Sequence, residues 1–199
     1  MDLILTAIKD GKTKAEACEI ADITVDELEE MISQGQSGVV QYVSFYNVFN
    51  EIYFKDRRED FLNYLKSNDY ETSITLAGLE KREVDMWYDA SQADFAYGLR
   101  DNNSFFIKTT KLLMQIYINA RKLKKSQNEA CKLIDKTNYD VKRWLNTEED
   151  IFISFKNDLE DVLMDNVAQG FRQKMSVAEI SKTFDISQNK VWSYIECGK

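Results

Sequence analysis

The chain has 199 residues, with 26 Lys and Arg against 34 Asp and Glu, a formal net charge of −8, no proline, no histidine and three cysteines. The absent histidine excludes Ser-His, Cys-His and His-metal chemistry, three cysteines fall short of the four of a Cys-only zinc site, and the scarcity of chain breakers predicts a mostly helical fold. No apolar run reaches the roughly 18–20 residues of a membrane span, and residues 1–11 lack a cleavage-like segment, so with the low, odd cysteine count a cytoplasmic protein is expected.

In chain order, one pattern recurs four times. The first copy opens at Thr13, with Glu16 three residues on, then Ala17 and Ala21, and Asp22 where the chain must turn. A second start follows at Thr24, and Leu28, Met31 and Ile32 form one apolar stripe at i, i+3, i+4. Residues 39–55, with Val39, Val40, Val43, Tyr46, Val48, Phe49 and Ile52, and residues 57–67, with Phe61, Leu62, Tyr64 and Leu65, predict two connecting helices. The second copy opens at Asp69, turns at Gly78, restarts at Glu80 and carries Val84, Trp87 and Tyr88. Asp101-Asn102-Asn103 has turn composition and is the expected hinge.

Residues 104–124 predict a long helix. The third copy then opens at Ser126, turns at Asp135, restarts at Thr137 and carries Val141, Trp144 and Leu145. After a predicted helix over 148–171, the fourth opens at Ser176, turns at Asp185, restarts at Ser187 and carries Val191, Tyr194 and Ile195. The spacing between the two starts is 11 residues in all four copies. Thr13/Glu16, Ser126/Glu129 and Ser176/Glu179 are capping boxes, in which each side chain satisfies the other residue's free N–H. The turn position holds Asp or Gly, the residues that tolerate left-handed backbone. Cys18 and Cys131 fall at equivalent places in the first and third copies, where a small residue packs at a helix crossing. The expected fold is all-α: a tandem array of four helix-turn-helix (homeodomain-like) units joined by longer helices, over 1–56, 57–103, 104–147 and 148–199.

The stretch TKAEACEIADITVDELEEMISQG at 13–35, and FLNYLKSNDYETSITLAGLEKREVDMWYDASQADFAYGL at 61–99 with its Ala77-Gly78-Leu79 and Asp94-Phe95-Ala96, resemble the helix-turn-helix of phage terminase small subunits. SVAEISKTFDISQNKVWSYI at 176–195 is similar to the DNA-binding domains of recombinases and transposases. Terminase small subunits carry one such unit with an oligomerisation region, so four in tandem depart from that pattern. The resemblance implies double-stranded DNA as partner and a phage or mobile-element role.

Charge separates the copies. Residues 1–56 carry 4 basic and 11 acidic residues, 57–112 carry 8 and 10, and 113–199 carry 14 and 13. A reading helix presents its exposed N-terminal face to the groove. The first copy offers Val25, Asp26, Glu27, Glu29 and Glu30 there, which a polyanion would repel. The second offers Lys81 and Arg82. The third offers Asn138, Tyr139, Lys142 and Arg143 with Lys136 in its turn, behind the cluster Arg121, Lys122, Lys124 and Lys125. The fourth offers Ser187, Gln188, Asn189 and Lys190. Gln and Asn suit adenine and Arg suits guanine, so these residues are the expected DNA contacts. The acidic first unit is expected to serve self-association or a protein partner. No enzymatic activity, metal or cofactor is expected, and Trp87, Trp144 and Tyr194 read as core anchors. An alternative from a different class stays open: a protein–protein adaptor or transcriptional regulator in which some or all units no longer touch DNA.

Overall fold

Local capping chemistry sets the helix boundaries in this computed structural model, which describes residues 1–96, 101 and 104–197. The chain divides into two compact units, Met1–Thr109 and Thr110–Lys199. The first runs through α1 (Asp2–Lys9), α2 (Lys14–Ala21), α3 (Val25–Gln36), α4 (Val40–Phe49), a π-helix (Asn50–Asp56), α5 (Arg57–Leu65), α6 (Tyr70–Leu76) and α7 (Lys81–Ala96). The division falls within α8 (Phe105–Lys122), and the second unit continues through α9 (Gln127–Leu133), α10 (Asn138–Leu145), α11 (Asp150–Arg172), α12 (Val177–Phe184) and α13 (Gln188–Cys197). The protein is all-α, with no strand among the described residues. No helix among them is long and apolar enough to cross a membrane. Asn102 and Asn103 of the expected hinge lie outside the described residues.

Each copy of the repeat is a short helix, a tight turn and a second helix: α2/α3, α6/α7, α9/α10 and α12/α13. Thr13, Ser126 and Ser176 close capping boxes with Glu16, Glu129 and Glu179, and Asp69 accepts from the Thr72 N–H. Two second helices are boxed as well, by Thr24 with Glu27 and by Thr137 with Asp140. The turn residues Asp22, Gly78, Asp135 and Asp185 all take left-handed backbone, at φ of 55°, 63°, 49° and 52°. The position four after the first cap (Ala17, Ser73, Ala130, Ile180) is 0 % exposed in every copy. Leu28, Val84, Val141 and Val191 are equally buried, so one slot of each second helix anchors its pair.

The connecting helices close the cores. In the first unit, Phe45, Phe49 and Tyr53 form the buried stripe of α4 and the π-helix, with Phe49 and Tyr53 stacked at 5.1 Å. The valines expected on that face go elsewhere: Val39, Val40 and Val48 are exposed, Val40 at 91 %. A segment apolar on every side leaves its buried face to the residues with most area to bury, here the aromatics. In the second unit, α11 buries Phe152, Phe155, Leu159, Val162 and Val167, and Val167 joins Ile180, Phe184, Ile186 and Val191 in one cluster.

The four helix pairs fall two to a unit. Within each unit, the turn of the second pair docks on the segment that leads into the first pair. The Gly78 turn approaches Gly11 so closely that a Cβ on Gly78 would lie 2.5 Å from the Gly11 carbonyl oxygen. The Asp185 turn meets the α8–α9 link, where the Asp185 carboxylate accepts from the Gln127 N–H at 2.8 Å. A buried arginine fastens each turn. Arg57 donates to the carbonyls of Gly78 and Ile8, and Arg121 donates to those of Phe184 (2.7 Å), Asp185 (3.3 Å) and Lys125 (3.1 Å). Ile8 and Arg121 both lie five residues before the first cap of their unit. Each gives its carbonyl to a buried side chain of the connecting helix, Arg57 in one case and Asn166 at 3.1 Å in the other.

Candidate nucleic-acid interface

The third pair builds the most basic surface. Asp135 reverses the chain, and Thr137 starts α10 with its hydroxyl accepting from the Asp140 N–H. Burial would raise the Asp140 carboxyl, but the hydroxyl and N–H of Thr137, with Lys136 and Arg143 nearby, hold it below the usual range. Val141 and Trp144 are buried, which fixes the rotation of the helix. Tyr139, 69 % exposed, and the exposed Lys142 and Arg143 therefore face solvent. Neither Lys142 nor Arg143 has a carboxylate within ion-pair distance among the described residues. Asn138 bridges back to the first helix, donating to Asn128 Oδ1 at 2.6 Å and accepting from Cys131 Sγ at 3.1 Å. Lys136 is half-buried in the turn.

Of the cluster just before this pair, Lys122, Lys124 and Lys125 are exposed. Lys124 ends the helix in left-handed backbone, with its Nζ 5.8 Å from the Phe184 ring. Arg121 was expected among the phosphate contacts and is not available for them. It is 3 % exposed, and its guanidinium is consumed by three carbonyls, with the Asp185 carboxylate 3.9 Å away. Sequence periodicity hid this, because a basic residue in the last turn of a helix normally faces water.

On the fourth pair, Ser187, Gln188 and Asn189 are exposed at the start of α13, and Ser187 Oγ caps the Lys190 N–H at 3.3 Å. Lys190 is half engaged: its Nζ lies 2.7 Å from Glu160 of α11 and 5.1 Å from the Tyr194 ring centre. Tyr194 donates to the same carboxylate at 2.5 Å. Burial would raise Glu160, but the Lys190 and Tyr194 hydrogen bonds more than reverse that and lower it. Trp192 stands 52 % exposed beside these residues. Its place one residue after the buried Val191 puts it on the exposed face of α13. Trp144 is a core anchor at 7 % exposure; Trp87 and Tyr194 are half-buried.

The first unit differs. Lys81 and Arg82 are exposed, with Lys81 3.1 Å from Glu71. Asp26, Glu27, Glu29 and Glu30 all lie exposed on α3. Beside them Lys14 is buried between Glu29 (2.7 Å) and Glu83 (2.8 Å). Burial alone would lower its pKa, and the two carboxylates more than compensate, so it is raised. Compared with known proteins, the chain matches no protein family, no curated protein and no solved structure.

Proposed function

We propose that the protein is a non-enzymatic, double-stranded DNA-binding protein whose contacts come from the second unit. One observation carries this reading: α10 presents Lys142 and Arg143 exposed and without ion-pair partners among the described residues, beside an exposed Tyr139, on the second helix of a tight-turn helix pair. A groove-reading helix needs that placement, and unpaired cations supply most non-specific affinity. Lys122, Lys124 and Lys125 add phosphate contacts. Gln188, Asn189 and Ser187 are the base-edge candidates of the fourth pair, and Lys190, held by Glu160, contributes less. Lys81 and Arg82 are secondary contacts in the first unit. The resemblance of the repeats to phage terminase small subunits and recombinase DNA-binding domains supports the same class.

The test is a gel shift with random-sequence duplex at about 50 mM salt, where non-specific binders reach micromolar affinity or near it. Lys142→Glu with Arg143→Glu should weaken binding by about tenfold or more and reduce the salt slope by about two. Absence of any shift at about 10 µM protein overturns the reading. It would favour the adaptor alternative, for which the acidic exposed face of α3, with Val25 39 % exposed among its carboxylates, is the supporting feature.

A further inference from the structure

The first unit contains a cavity of about 560 Å³ that the DNA reading does not use. It lies within the size range of small-molecule sites, roughly 300–1,000 Å³. Its apolar wall is made by Ile32, Phe54, Leu62 and Phe105, and Arg58 and Lys108 bring cations to it. Lys55 and Glu51 also line it but neutralise each other at 2.5 Å, leaving Glu59, which is solvent-exposed, as the other carboxylate.

Arg58 is the unusual member. Its guanidinium lies 4.7 Å from the Trp87 ring centre and 5.7 Å from that of Phe105, so its faces are occupied by aromatics. Its Nε–H is buried and has no hydrogen-bond partner. Burial lowers the Arg58 pKa with no carboxylate offsetting it, unlike Arg57, where Glu83, Asp60 and Glu16 each act against the burial. A buried donor without an acceptor is destabilising, and arginine presents its donors in a planar fork matched to carboxylate and phosphate. The π-helix contributes Asn50, Glu51, Phe54 and Lys55 to the lining. Such helices are rare and recur at functional sites.

We infer that this cavity binds a small organic oxyanion, its carboxylate or phosphate group received by the Arg58 guanidinium with Lys108 in support, and its apolar body seated against Phe54, Leu62 and Phe105. Arg58 lines the cavity, so pairing there would offset the cost of burying its charge, and the aromatic platform that holds it would keep the fork in place.

The experiment is a titration of the full-length protein followed by ¹H–¹⁵N spectra that include arginine Nε–Hε signals. Probes are phenyl phosphate, benzoate, inorganic phosphate and neutral benzyl alcohol. Saturable binding of phenyl phosphate or benzoate is expected, shifting the Arg58 Nε–Hε signal and the amides of 50–58; the tighter of the two identifies the oxyanion. Benzyl alcohol should bind at least about tenfold more weakly, as charge-assisted pairing predicts. Arg58→Lys keeps the cation over Trp87 and should still fold while losing about tenfold in affinity, because a point charge cannot replace the fork. Lys108→Ala should lose about threefold, as an exposed charge does. No saturable shift up to about 10 mM of either organic anion, or unchanged affinity in Arg58→Lys, overturns the site. Inorganic phosphate binding as tightly as phenyl phosphate overturns the organic body.

Discussion

The two units solve one packing problem with different residues. In both, the turn of the second helix pair must sit against the entry to the first pair, and its carbonyls must be satisfied away from water. The first unit uses a glycine in the turn and brings Arg57 from the connecting helix. The second uses an aspartate, whose carboxylate adds a bond to Gln127, and takes Arg121 from the helix before the first pair. The position that must supply a buried donor is the same, while the chain segment that supplies it is not. Charge outside this fastening has diverged. The first unit buries Lys14 between two carboxylates, and the second leaves Lys142 and Arg143 to solvent.

The sharpest way to break this comparison is at the turns. Gly78→Ala forces left-handed backbone on a Cβ-bearing residue and drives that Cβ to 2.5 Å from a backbone carbonyl and 2.9 Å from Arg57. The expected cost is about 4 kcal/mol in urea unfolding, at the upper end for single substitutions. Asp185→Gly occupies the same slot, where glycine adopts the required φ freely. It loses the acceptor for Gln127 and the 3.9 Å ion pair with Arg121, and should cost about 1–2 kcal/mol. Equal losses would show that the two turns are not equivalent.

Lysines separate the units next. Lys14→Met leaves Glu83, whose side chain is 12 % exposed, without its cation. Breaking a buried pair in this way costs about 3 kcal/mol. Lys190→Met removes an ion pair of the second unit whose partners are 40 % and 38 % exposed. Such a pair is worth less than about 1 kcal/mol. A Lys190 loss as large as that of Lys14 would contradict the distinction between a closed and an open charge.

Much of this was legible in the sequence, for physical reasons. Caps, turns and anchor positions are local: Thr13, Asp22 and Leu28 declare themselves within one copy, and the 11-residue spacing repeats them. The sequence suggested a division near 101–103, but how each turn is fastened was not legible, because it rests on long-range contacts such as Arg121 to Phe184, 63 residues apart. That is also why Arg121 reads as a phosphate contact from sequence and proves to be a fastening. The exposed cations of α10 were legible from the buried Val141 and Trp144, which set the helix face. The Arg58 cavity was not, since it is lined by residues from Ile32 to Lys108 and depends on a π-helix that apolar periodicity does not distinguish from an α-helix.

The smallest expected effect concerns acid. Glu16, Glu27, Glu129 and Glu179 each accept a backbone N–H and a hydroxyl from their cap residue, and these bonds lower their pKa values. A carboxyl lowered in the folded state contributes stability that is present above its unfolded pKa, about 4.3, and is lost as pH falls through the folded value. The first helix of the second pair is capped by Asp69 with Thr72 at the third position, so it has no such glutamate. Unfolding midpoints should therefore be level near neutrality and decline below about pH 4. Glutamine can complete the same box without titrating. Glu129→Gln should thus flatten part of that decline while changing the midpoint little at pH 7, and Thr72→Gln should leave the acid limb as it is. An acid limb identical in Glu129→Gln and the parent protein would mean that the caps do not carry the pH dependence.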